Sequence, residues 1–227
     1  MNRRSRIRLA VSLLVTMCAG LCAPPAAFAE DAWPGRTITY VVPYPPGGTT
    51  DILGRTIAQR LGEALKTTVI VDNKAGATGT IGGAFVARAA PDGQTLLGTS
   101  IGPQAIAPHL MKLTYDPVKA YEPVSLIGTV PHVLVVKASA PLTTVAQLVA
   151  TAKDKPGSVS FASGGTGTIL QMQGELLRLQ TKTTMTHVPY KGDVPALQDV
   201  IGGQATFMFA PIAAALPHIK SGRLRAL

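Results

Sequence analysis

Thr37-Ile38-Thr39-Tyr40-Val41-Val42-Pro43-Tyr44-Pro45-Pro46-Gly47-Gly48-Thr49-Thr50-Asp51 is the stretch whose reading decides the fold. Thr37–Val42 is β-branched and aromatic, follows Pro34-Gly35, and reads as a strand. Beyond the glycines, Ile52, Leu53, Ile57, Leu61, Ala64 and Leu65 recur at helical spacing and predict an amphipathic helix over 50–65. The loop between them holds three prolines and two adjacent glycines. Gly47 and Gly48 carry no Cβ and admit positive φ, so their N–H groups can point into a cleft at the positive end of the next helix. Such a loop binds anions without a charged side chain. A plain strand-to-helix turn would use the same residues, and the stretch alone leaves both readings open.

Working outward, the pattern repeats. Thr67–Val71 reads as a strand, Asp72–Gly79 as a glycine-containing turn, 81–90 as a small-residue helix and Thr95–Gly98 as a third strand. After a proline-rich stretch, strands are expected at Val124–Ile127 and Val133–Val136, on either side of Pro131. A second unit begins near 131. Its helices are expected at 144–152, 168–180, 193–201 and 212–219, and its strands at 158–162, 186–188 and 205–209. This unit has its own glycine-rich strand-to-helix loop, Ser163-Gly164-Gly165-Thr166-Gly167-Thr168. Strands alternating with helices predict an α/β fold with parallel, doubly wound sheets, whose ligands sit beyond the carboxyl ends of the strands. Two such lobes would face each other across a cleft.

Composition narrows the class. At 46% hydrophobic and 15% charged, the 227 residues read as globular. Residues 1–29 read as a secretory signal peptide: Arg3, Arg4, Arg6 and Arg8, then the apolar Leu9–Leu21, then Ala27-Phe28-Ala29 before Glu30. Removing them takes the net charge from +9 to +5 and takes away both cysteines, Cys18 and Cys22, excluding disulfide and thiol chemistry. The remaining charge lies in no Lys/Arg run, so no nucleic-acid partner is expected. No other stretch stays apolar for 18 residues, and the remainder is expected to be soluble.

Other chemistry is weighed against plainer roles. Gly98-Thr99-Ser100-Ile101-Gly102 has the G-x-S-x-G spacing of a hydrolase elbow. The elbow needs a helix directly after the serine, and Pro103 and Pro108 are expected to leave only about one turn. Ser100 is therefore read as a ligand hydrogen bonder, with a serine hydrolase as the alternative. Gly76-Ala77-Thr78-Gly79-Thr80-Ile81-Gly82 lacks the G-x-G of a dinucleotide fingerprint, and no P-loop is present. His109, His132, His187 and His218 are too scattered for a metal site. No cofactor and no metal are expected.

Six segments in order resemble the tripartite tricarboxylate transporter substrate-binding proteins, the Bug family. They are Pro43–Asp51 with Arg55, Val71–Ala77, Pro91–Leu97, Tyr115-Asp116-Pro117, His187–Gly192 and Leu216–Leu227. The likeness covers nearly all of 33–227. It implies a two-lobed periplasmic binding protein of type II, not an enzyme, with lobe I at 30–130, lobe II at 131–223, and 224–227 beginning a return to lobe I. It further implies a periplasmic, monomeric receptor that closes on a small organic carboxylate and passes it to membrane permease subunits. Backbone N–H groups and water from both lobes would hold the carboxylate. The first lobe would contribute Tyr44, Gly47, Gly48, Thr49, Asp51, Thr78, Gly79 and Ser100. The second would contribute Gly165, Thr166, Gly167, Thr168, Gln171, Tyr190 and Ala210. Gln171 stands where such proteins often carry histidine; an amide still donates and accepts but holds no charge. The family also runs on for roughly another ninety residues, so the chain reads as a fragment or a truncated protein of marginal stability, with a truncated, non-binding paralogue as a further alternative to the receptor. Finally, Phe209-Ala210-Pro211-Ile212 offers no acid, and Asp51, the one acid expected near the cleft, is assigned to the helix start. A simple carboxylate is therefore expected over an amino acid.

Overall fold

The computed structural model describes residues 33–227, so the expected signal peptide lies outside the described residues. Within residues 36–227, a single compact unit, the chain builds two sheets. β1 (Ile38–Val42) is buried at every position but Thr39. A strand buried on both faces belongs at the centre of a sheet. Accordingly β1 lies between β2 (Val69–Asn73) and β3 (Thr95–Leu97), parallel to both, with Ile38 opposite Val69 and Thr39 opposite Thr95.

α1 (Thr49–Leu65) lies on this sheet through Gly54 and Ala58. Gly54 is required by proximity: a Cβ there would stand 2.8 Å from Val42 Cγ2 and 3.1 Å from Tyr40 Cε1. The helix ends at Lys66 in the left-handed region, whose N–H donates to the Gly62 carbonyl. α2 (Thr80–Ala87) leads into β3. Next, a π-helical turn at Gly102–Ile106 runs into α3 (Ala107–Leu110), a longer helical run than the prolines led us to expect. Pro103 sits in the first turn, where a missing N–H costs nothing. Pro108 likewise opens α3.

The second sheet has the order β6-β5-β7-β4-β8. Its strands are β4 (His132–Lys137), β5 (Val159–Ser163), β6 (Met185–Pro189), β7 (Phe207–Pro211) and β8 (Leu224–Ala226). The helices between them are α4 (Val145–Asp154), α5 (Ile169–Thr181), α6 (Asp193–Gly202) and α7 (Ile212–Lys220). Alternation along the strands sends successive side chains to opposite faces. Val135, Ala162, Met208 and Ala210 meet Ala196, Leu197 and Val200 of α6 and Ala215 of α7. Leu134, Val136, Phe161 and Phe207 meet Leu148 and Ala152 of α4 on the other face.

Two expectations are corrected. The second sheet is mixed, not parallel, because β4 runs antiparallel to β7 and β8. The chain enters β4 from the long 98–131 connection, and only a strand–helix–strand crossover enforces parallel orientation. Leu224–Ala226 pairs with β4, and Leu224 is buried in the second core. Val124–Ile127 forms no strand; Val124 and Leu126 are more than four-fifths exposed. A β-rich tetrapeptide becomes a strand only beside a partner, and no described residue forms a ladder with it.

Candidate functional site

The β1–α1 loop is held from within. Gly47 sits at φ +83°, and its N–H donates to Asp51 Oδ2 at 2.9 Å. Asp51 is 3% exposed and also accepts from Arg55 Nε at 3.0 Å and Asn73 Nδ2 at 2.8 Å. Asn73 Nδ2 reaches the Tyr44 carbonyl as well, at 3.0 Å. Burial pushes the Asp51 carboxyl up, but the bonds from Arg55, Gly47 and Asn73 outweigh it and hold the group below its ordinary value. Asp51 thus braces the loop with the carboxylate expected near the ligand.

Gly48 does not need positive φ, contrary to expectation. It is the N-cap of α1 at φ −77°, ψ 168°, which any residue can adopt. A Cβ there would lie 2.8 Å from Asp193 Oδ1, the free end of a side chain that can turn aside. No side chain caps this helix, so the first-turn N–H groups of Thr49, Thr50 and Asp51 lack carbonyl partners within it.

Tyr44 is half-buried and its hydroxyl is 2.7 Å from Ser100 Oγ. Burial pushes the Tyr44 phenol up to about 12, with the nearby Asp193 charge adding to the effect and the Ser100 bond opposing it. The partner of Ser100 is therefore a tyrosine hydroxyl rather than the histidine a hydrolase would use. Thr78 lies in a 3-10 turn (Ala77–Gly79) whose three residues all have positive φ. That strained turn points the Thr78 hydroxyl at the Thr166 carbonyl of the β5–α5 loop, to which it donates.

The β5–α5 loop is also closed on itself. Thr168 Oγ1 donates to the Gly165 carbonyl at 2.7 Å and accepts from Gln171 N–H as the cap of α5. Gln171 Oε1 in turn accepts from Gly167 N–H at 2.7 Å. Ser163 Oγ meets His187 Nε2 at 2.6 Å and Gly165 N–H at 3.2 Å. Gly165 and Gly167 take φ of +133° and +87°. Of this loop, Thr166 is exposed.

Two expected site residues turn elsewhere. The Tyr190 hydroxyl donates to Asp199 Oδ2 at 2.6 Å, on α6 just after it in the chain. Ala210 is fully buried in the second core, beside Val135 and Met208.

Among the described residues, loops of the two sheets meet at three places. Thr78 bonds Thr166. A Cβ on Gly102 would stand 3.3 Å from the Gly167 carbonyl. Around Asp193, Thr49 Oγ1 lies 3.5 Å from Oδ2, and a Cβ on Gly192 would meet Pro45 at 3.2 Å. Asp193 opens α6 directly after Tyr190-Lys191-Gly192, and sequence reasoning passed over it. An acid in the first turn of a helix ordinarily reads as a dipole stabiliser; only the fold brings it to Gly48.

The family described as tripartite tricarboxylate transporter family receptor, TctC, matches residues 53–227. The chain belongs to this receptor family. BugT of Bordetella pertussis (strain Tohama I) is 40% identical over 221 residues, 96% of this chain and 67% of BugT. Rpa4515 of R. palustris, solved with adipate, is 34% identical with a TM-score of 0.82, over 86% of this chain and 66% of that one. MatC from Rhodopseudomonas palustris, solved with bound malate, is 33% identical with a TM-score of 0.80, over the same shares of the two chains. This TctC-family chain therefore spans about two thirds of the length of these relatives, and its α/β architecture is that of the periplasmic binding proteins.

Proposed function

We propose that this TctC-family chain is an extracytoplasmic receptor that captures a small organic carboxylate between the loops of its two sheets. It delivers the ligand, as a monomer in the periplasm, to the membrane subunits of a tripartite tricarboxylate-type transporter. The observation that carries this reading is the uncapped N-terminus of α1, set where the β1–α1 loop meets the β6–α6 loop. Its first-turn N–H groups and the Thr49 hydroxyl are donors, and the positive end of the helix favours an anion. The carboxylates held by Rpa4515 and MatC support the same ligand class. The basic signal-like segment at 1–29 supports export.

Calorimetric titration with adipate, malate, succinate and glutarate tests the reading. Binding of at least one is expected, and Gly48→Val should abolish it with the far-ultraviolet circular dichroism unchanged. Valine adopts the Gly48 backbone angles, but its branched Cβ would crowd the first turn of α1 and displace the Asp193 carboxylate beside it. Undiminished affinity in Gly48→Val would remove the β1–α1 loop as the anchor.

A further inference from the structure

We propose that Asp193 sets the ligand preference of this receptor, selecting an α-amino acid over the same acid without its amino group. The proposal rests on the carboxylate-receptor reading above and narrows it. It reverses the expectation from sequence that a simple carboxylate would be preferred.

Asp193 stands where three loops converge. A Cβ on Gly48 would stand 2.8 Å from its Oδ1, and its Oδ2 is 3.5 Å from Thr49 Oγ1. On the other side, a Cβ on Gly164 of the β5–α5 loop would be 3.3 Å from Asp193 N. The carboxylate therefore lies beside the uncapped start of α1, at the donors proposed for the ligand carboxylate.

No Lys, Arg or His among the described residues forms an ion pair with Asp193, whereas Asp51, Asp72 and Asp92 each have a cation. Its one side-chain hydrogen bond among those residues is the long one to Thr49. His132 is the nearby titratable group on the second sheet; burial keeps its imidazole towards the neutral form, with Asp193 opposing. Tyr44, on the first, is a neutral phenol. The Asp193 carboxylate thus has no cationic side chain paired with it among the described residues.

Two consequences follow for a ligand. A carboxylate on the α1 donors places its negative charge next to that of Asp193, and like charges at contact distance repel. An α-amino acid carries its ammonium on the carbon next to the carboxylate. With the carboxylate on the α1 donors, the ammonium reaches Asp193 and turns the repulsion into a charged hydrogen bond. Such a bond is worth about ten- to a hundredfold in affinity. A dicarboxylate without an ammonium gains nothing there.

The test is calorimetry on the full chain with three matched pairs: succinate and aspartate, glutarate and glutamate, propionate and alanine. Wild type should bind the amino member of at least one pair tighter by about tenfold or more. Asp193→Asn, which keeps shape and removes charge, should cut that preference to within about threefold, a residual smaller than a charged bond supplies. Asp193→Ser takes its place if the amide variant does not fold. Equal or tighter binding of the plain acids by wild type overturns the proposal and leaves the carboxylate receptor standing. An amino-acid preference that persists without the Asp193 charge also overturns it. Failure of wild type to bind any of the six, or adipate and malate, sinks both readings together.

Discussion

Replacing Asp51 with alanine removes the brace of the β1–α1 loop. The carboxylate accepts three bonds, from Gly47 N–H, Asn73 Nδ2 and Arg55 Nε. The Arg55 side chain is 54% exposed, so that pair is screened and counts for well under about 1 kcal/mol. Asn73 is half-buried and Gly47 is exposed, and a buried donor left without an acceptor costs about 1–3 kcal/mol. Water can reach the Gly47 N–H, so the expected loss is about 1–3 kcal/mol. Urea unfolding would show it as a lower midpoint at unchanged slope. The loss should depend on pH with a defined sign. The folded carboxyl titrates below its ordinary value of about 3.9. Its contribution is therefore complete above that value and disappears as the pH falls through the lower folded value. Wild type and variant should converge in acid. A difference under about 0.5 kcal/mol at neutral pH, the size of an ordinary surface substitution, would refute the bracing role.

Two further outcomes are expected. Gly174→Ala should destabilise by about 1–3 kcal/mol through overpacking, because its Cβ would come within 2.3 Å of Phe161 Cδ2 in the second core; thermal denaturation at neutral pH measures this. His187, stacked on Phe161 and bonded to Ser163, has its pKa lowered by burial, with Glu175 opposing. Folding then favours the neutral ring, so stability should fall as the pH drops below the unfolded value of about 6.5 and level off below the folded one. Glutamine at 187 should reduce that slope in urea midpoints measured from pH 7 to 5, leaving the part due to His132 and His218, whose values are also lowered.

Much of this molecule was legible in the chain alone. Periodicity placed β1, α1, α5, α6 and α7 within a residue or two, because the alternation of apolar side chains is a local record of which face is buried. Loop chemistry was legible for the same reason: Gly47 does occupy the left-handed region, and Thr168 does open a helix. What the pattern could not carry were pairings between distant segments. The direction of β4, the attachment of β8 to it and the loss of the 124–127 strand depend on which strand lies alongside, and no local repeat encodes that. The site divides along the same line. Its loops were identified from sequence, but the side chains were sorted by tertiary contacts: Tyr190 turned to Asp199, Ala210 into the core and Asp51 into its own loop. Asp193, read alone, is an ordinary acid at a helix start; what makes it a candidate for recognition is the approach of Gly48 and Thr49 from 144 residues away. Backbone propensity and polarity act over a few residues and can be read in order, whereas a binding site is made by segments that only the packed core brings into contact.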